Sequence, residues 1–307
     1  MSFQTELKRS ETLPENGFMN IRNLLEKDGY VIIPSALNEN ELKSLRDACH
    51  YITDLARAGK WPYIRTLPKQ FPPWGSDPSN GIWGVQHLLH PEMPRQELFA
   101  ASYFADNVAA AVREIIGGDT TDDDLVMELY NLLVRPDTDF QLRWHRDDIA
   151  PTATAAEEVE KLRSTAWHAQ WNLALYDDSS LVVVPGTHKR ARTDRERNAD
   201  PFESNMPGQI VVGMKAGDII FYNNNIFHRG VYNPKVERMT LHGSVGHVKG
   251  GNARARNVLQ HGVGEWVDKV NFGGLPSDIA KRAESMRAKL KKMGEVSGDV
   301  GFAHEQD

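Results

Sequence analysis

The chain has 307 residues, 40% apolar and 25% charged, and 36 Lys and Arg against 42 Asp and Glu leave a net charge of −6. That length and balance suit a single folded domain with a substantial core, and the acidic excess offers nucleic acid or an anionic membrane nothing to hold. Cys49 is the only cysteine, so an internal disulfide is excluded and any metal falls to histidine and carboxylate.

Residues 1–17 read as a loose polar leader without a secretory signal, and no run approaches the ~20 apolar residues that cross a bilayer. A cytoplasmic address is the default expectation. Phe18, Ile21, Leu24 and Leu25 follow helical spacing up to Asp28-Gly29, and Tyr30–Ile33 reads as a buried strand closed by Pro34. Asn38 and Glu41 predict the start of a second helix with Leu42, Leu45, Cys49, Ile52 and Leu55 on its inner face, ended by Gly59. Between 60 and 96, prolines accompany Trp61, Trp74 and Trp83. They argue against a long helix or a central strand and for an ordered aromatic loop, the wall or lid of a site. One helix is expected near Glu97–Gly117, completing a helical and loop-rich part over 18–120.

From Leu125 the pattern changes to short strands bounded by Gly, Pro, Asp or Asn. They are expected at 125–134, 141–147, 165–176, 181–184, 209–212, 218–222, 226–231 and 238–245. Strands in series without intervening helices predict an antiparallel sandwich or barrel over 125–247. An Ala/Glu-rich insertion at 150–163 suggests a short helix over its mouth. In the tail, 250–307, Ile279, Ala283, Met286, Leu290 and Met293 share one helical face. Packing on the domain is the first reading of that face, and a homo-oligomer contact the second.

The chemistry-bearing residues fall inside the strand region. His145 and Asp147, at i and i+2, share one face of an extended strand. His228, from a distant strand, completes a two-histidine, one-carboxylate set, the arrangement found in non-heme Fe(II) oxygenases. Arg238 follows on the next strand, where it could hold an acidic co-substrate. A solvent-facing His and Asp on a polar strand face fit the same spacing.

His145/Asp147, the stretch Leu181-Val182-Val183-Val184-Pro185-Gly186-Thr187-His188-Lys189, Gly217-Asp218, His228 and Arg238 together resemble the phytanoyl-CoA dioxygenase family of Fe(II)/2-oxoglutarate oxygenases. The resemblance covers roughly residues 125–247, with further likeness around Gly29–Ala58. It implies a mainly β protein with flanking helices, a double-stranded β-helix (jelly-roll, cupin-like). Iron would be held by His145, Asp147 and His228, and Arg238 would grip the distal carboxylate of 2-oxoglutarate with its planar fork. With dioxygen as the third reactant, the expected reaction hydroxylates, desaturates or cyclises a small-molecule metabolite and releases succinate and CO2.

Relatives often carry a small hydroxyl residue where this chain has Gly230; Thr240 is the expected replacement. Arg143 and Asn131 are assigned to the co-substrate, and Trp171, Arg146 and Arg229 to the substrate, with a core position as the alternative for Trp171. The retained Asp147 argues against halogenation. A non-redox cupin-like metal protein or a zinc hydrolase is the alternative activity, although it leaves Arg238 without a role.

Overall fold

The computed structural model describes residues 7–8 and 21–301; the rest of the expected leader, and Phe18, lie outside the described residues. In chain order the elements are β1 (Leu7–Lys8), α1 (Ile21–Asp28), β2 (Tyr30–Ile33), α2 (Glu39–Arg57), β3 (Ile64–Thr66), β4 (Ile82–Val85), α3 (Gln96–Tyr103) and α4 (Asp106–Ile116). There follow β5 (Leu125–Val134), β6 (Phe140–Gln141), α5 (Ala155–Arg163), β7 (His168–Ala174), β8 (Leu181–Val184), α6 (Asp194–Asn198), β9 (Ile210–Val212) and β10 (Ile219–Tyr222). β11 (Phe227–Tyr232), β12 (Met239–His247), α7 (Gly251–Gln260) and α8 (Ser277–Glu295) complete the chain.

The strands form two sheets, ordered β2-β10-β7-β12-β5-β4-β3 and β1-β9-β8-β11-β6. Pairing is antiparallel except for β1 on β9. This is the expected mainly β architecture with flanking helices. Alternation along the strands decides which side chains meet. Val31, Ile219, Phe221, Trp171, Leu173 and Leu241 face the helices. Tyr30, Ile32, Ile220, Tyr222, Leu181 and Val183 fill the space between the sheets, each large apolar side chain stabilising by about 1.5–3 kcal/mol when fully buried.

The second helix begins as expected: Asn38 Oδ1 accepts from Glu41 N–H at 3.0 Å and Glu41 caps Asn38 N–H at 2.9 Å, a device worth about 1 kcal/mol. Three expectations need correction. The helix near 97–117 is two, α3 and α4, because Ala105 is extended and the chain turns where Tyr103 packs edge-on against Phe104. The proline-rich region holds two short strands, and β4 lies between β3 and β5.

The expected strand 141–147 is regular only at Phe140–Gln141. Leu142 N–H donates to Gly230 O and His145 N–H to His228 O, so three steps on one chain match two on the other, while Trp144 N–H turns away to Pro201 O. Such a bulge re-aims the side chains that follow it. The apolar face of α8 packs on the domain, its first reading: Ala283, Met286 and Leu290 are buried in the main core, with Ile279 and Met293 packed against it. Among the described residues no helix is long and apolar enough to cross a membrane.

Candidate metal centre

The two sheets enclose a cavity of about 580 Å³ at one mouth. His145, Asp147 and His228 stand together on its wall, with one ligand atom from each lying within 4.8 Å of the others. Asp147 Oδ1 is 3.4 Å from His145 Nε2 and 3.6 Å from His228 Nε2. Each imidazole Nδ1 lies 2.8 Å from a backbone carbonyl, Arg143 O for His145 and Ile226 O for His228. With Nδ1–H donating to Ile226 O, His228 Nε2 turns its lone pair toward the shared space, as a metal ligand does; His145 Nδ1 also has Gln70 Nε2 at 3.0 Å.

The second carboxylate oxygen is held elsewhere: Gln170 Nε2 donates to Asp147 Oδ2 at 2.8 Å. Burial would push the Asp147 carboxyl up, but the His228 and His145 imidazoles and the Gln170 amide hold it well below the usual carboxylate range. Burial and the neighbouring His145 push His228 down to about 4, so it is neutral at neutral pH. A deprotonated carboxylate and a neutral imidazole are the forms that bind a divalent ion.

Arg238, just before β12, points into the same cavity. Its Nε donates to Ser180 Oγ at 2.9 Å and approaches Asp178 at 3.3 Å, and Nη2 donates to Thr240 Oγ1 at 3.0 Å. Nη1 is buried without a hydrogen-bond partner, a costly state for a charged group unless a ligand completes it. Thr240 therefore does reach Arg238. A Cβ at Gly230 would collide with the Tyr232 hydroxyl, and the Tyr232 ring lies 4.6 Å beneath the Arg238 guanidinium. Tyrosine at 232 thus fills the space of a side chain at 230.

The other named residues are placed differently. Arg146 donates to the carbonyls of Thr187, Asn225 and Arg190, and Arg229 donates to Phe202 O and Gln141 while stacking over Trp144. Neither lines the cavity, and both hold loops together. Trp171 is 1% exposed and packs among Tyr103, Tyr130 and Phe221 on the helix side, its core alternative. Asn131 is buried with its Oδ1 on His87 N–H. Arg143 contributes backbone, its N–H to Gln70 at 2.8 Å and its carbonyl to His145, and its side chain lies off the cavity lining.

Sequence reasoning missed Gln170, Asp178 and Ser180, which orient the named residues. It also missed Gln70 and Phe71, whose loop meets His145 at 3.0 Å from Gln70 Nε2 and through an edge-on ring contact. Period two could have found Gln170, because it shares the inward face of β7 with His168 and Asn172. His188 is structural, as expected, lying 3.0 Å from Glu26 O. The aromatic and insertion walls do reach the cavity, through Trp74, Trp83, Lys161 and Leu162.

Two facing sheets with a His-Asp-His group of the kind that could hold a metal ion, and a buried arginine in the same cavity, define a jelly-roll protein. The phytanoyl-CoA dioxygenase (PhyH) family model matches residues 25–234, and the chain belongs to that family. No curated protein matches it.

Solved structures share the fold. EctD from S. alaskensis, with 2-oxoglutarate and 5-hydroxyectoine, is 18% identical over 80% of this chain and 80% of that chain, with a TM-score of 0.55. HygX from Streptomyces hygroscopicus, with nickel and 2-oxoglutarate bound, is 17% identical over 78% of this chain and 88% of that one, with a TM-score of 0.53. The non-heme alpha ketoglutarate dependent epimerase SnoN, from nogalamycin biosynthesis, is 16% identical over 76% and 84%, with a TM-score of 0.50.

Proposed function

We propose that the chain is an Fe(II)/2-oxoglutarate-dependent oxygenase that oxidises a small-molecule metabolite. The observation that carries this reading is the pairing, in one cavity, of the His145/Asp147/His228 group with the partnerless buried Nη1 of Arg238. The donor set fits iron: two imidazoles and one carboxylate are a facial set that leaves positions open. A carboxylate on Arg238 would satisfy the orphan nitrogen, which a zinc hydrolase or a simple metal-binding module leaves unexplained.

Iron held there with 2-oxoglutarate and dioxygen supplies oxidising chemistry, consuming the keto acid to succinate and carbon dioxide while a substrate C–H is oxidised. The protein's part is placement. Gln170 fixes Asp147 through one oxygen and leaves the other for the ion. Ile226 O holds the His228 tautomer, Arg143 O and Gln70 orient the His145 ring, and Tyr232 and Thr240 fix the plane of the Arg238 fork. Apolar walls from Leu129, Leu133, Trp74 and Trp83 exclude water and orient the substrate. Hydroxylation, desaturation, cyclisation and epimerisation differ only in where those walls set the reacting carbon.

The test is succinate release from 2-oxoglutarate across a metabolite panel with added Fe(II). Turnover should need both Fe(II) and a substrate hit, and Asp147→Ala should reduce it to background. Normal turnover by the Asp147→Ala protein would overturn the ligand assignment.

A further inference from the structure

The cavity holds a second cation of a different kind. Arg65, on β3, reaches the cavity wall with its guanidinium carbon 4.8 Å from the Trp74 ring and 5.1 Å from the Trp83 ring. Among the described residues it makes no hydrogen bond or ion pair with an acid, and its Nε is buried without a partner. Gly84 makes this placement possible: a Cβ there would stand 3.0 Å from Arg65 Cδ and 3.2 Å from Leu132 O. The stem therefore lies across β4 at Gly84, where any larger residue would crowd it.

Most other charged groups on the lining are matched, and Lys161, exposed on α5, is the exception among the described residues. Arg254 is bidentate on Glu128 at 2.8 and 2.7 Å, Asp148 accepts from Asn224, and Asp147 belongs to the histidine group. Burial pushes the Arg65 guanidinium down to about 10, so it is charged at neutral pH, with Tyr232, Tyr222 and Asp147 nearby partly supporting the charge. A half-buried cation without a directly paired counter-ion is unfavourable in isolation, and a ligand anion removes the deficit.

We infer that Arg65, clamped by Trp74 and Trp83, is the recognition site for a carboxylate on the substrate. This deepens the proposed function and rests on it for one step. With Arg238 taking the distal carboxylate of 2-oxoglutarate and the metal taking the other end, neither carboxylate of the keto acid is left for Arg65. The two indoles bracket the guanidinium, favouring a substrate whose acid group adjoins a flat apolar body. The substrate contact assigned from the sequence to Arg146 and Arg229, which are occupied by carbonyls, thereby moves to a residue on the cavity wall.

The test titrates benzoate and its uncharged counterpart benzamide calorimetrically into the full chain loaded with Mn(II) and 2-oxoglutarate. Wild type should prefer benzoate by about ten-fold or more, the scale of a charge-assisted hydrogen bond. Arg65→Gln should lose the preference, and Arg65→Lys, which keeps the charge should the glutamine variant fold poorly, should retain part of it. Affinity for 2-oxoglutarate should change by less than about three-fold in both variants, as expected for a separate site.

Equal binding of the two probes, no measurable benzoate binding, or a preference that survives in Arg65→Gln overturns the inference. A loss of about ten-fold or more in 2-oxoglutarate affinity in Arg65→Gln would assign the guanidinium to the co-substrate and overturn it too. If wild type binds 2-oxoglutarate no better with Mn(II) than without, the oxygenase reading is what fails. The benzoate comparison on metal-free protein then still decides the Arg65 site.

Discussion

The floor of the cavity and its mouth are built from different kinds of structure. On the floor, His228 and Tyr232 come from β11, Gln170 and Asn172 from β7, and His242 from β12, with Arg238 just before it. Hydrogen bonds hold them: His228 on Ile226 O, Gln170 on Asp147, His242 on Asn172 and Arg238 on Ser180 and Thr240. The mouth comes from connections and helices, with Gln70, Phe71 and Trp74 from a proline-rich loop, Lys161 and Leu162 from α5, and Asn257 from α7. Strands hold His228 and Gln170 within narrow limits, His145 and Asp147 come from the irregular segment that follows β6, and the outer connections shape what can enter.

Substitutions can break that division. Arg238→Gln, on the floor, should weaken 2-oxoglutarate by on the order of 10²-fold in a calorimetric titration, because it removes one partner of a buried charge pair. Gln170→Leu should leave the ligands in place yet lower metal affinity by about ten-fold or more, measured with Mn(II), since an outer hydrogen bond orients the carboxylate. If Gln170→Leu bound metal as wild type does, the orienting role assigned to Gln170 would be wrong.

The floor also predicts a pH response. Burial pushes His242 down to about 3 and His261 to about 4, against ordinary values of 6.5, so the unfolded chain takes up protons that the folded chain refuses. Metal-free stability should be full above pH 6.5 and should fall as the pH drops toward 4, read as a falling Tm. A flat Tm over that window would contradict the buried, neutral state of these rings. The smallest effect belongs to the mouth: Trp74→Ala should change substrate KM while leaving the Kd of Mn(II) and 2-oxoglutarate within about two-fold.

The same contrast explains what was legible in the sequence. Period two paired His145 with Asp147 although their segment is not a regular strand, the family resemblance gave His228 and Arg238 their roles, and Asn38 with Glu41 marked a helix start that the structure reproduces. The strands at 125–134 and 181–184 have the expected bounds. The rule was applied unevenly, because Arg146 adjoins two members of the group and Arg229 adjoins His228. An adjacent residue on a strand points to the opposite face, so both were disfavoured as cavity residues from the outset.

Other features depend on partners far away in sequence. Trp144 N–H bonds to Pro201 O and breaks the strand at 141–147, and nothing local in Arg143–Asp148 announces it. α7 escaped notice because Gly251–Gln260 is polar and buries only Ala255, Val258 and Leu259. Arg65 lies among prolines, where no periodicity tells a wall residue from a surface one; its place follows from Gly84 on the neighbouring strand.

The most direct test of the central claim is a calorimetric titration of 2-oxoglutarate into the full chain, with and without Mn(II) standing in for iron. One equivalent should bind in the presence of the metal, and binding should be at least about ten-fold weaker without it, since the keto acid would lose its contact with the ion and keep only Arg238. Equal affinity in the two titrations would show that the His145/Asp147/His228 group and Arg238 do not share one ligand.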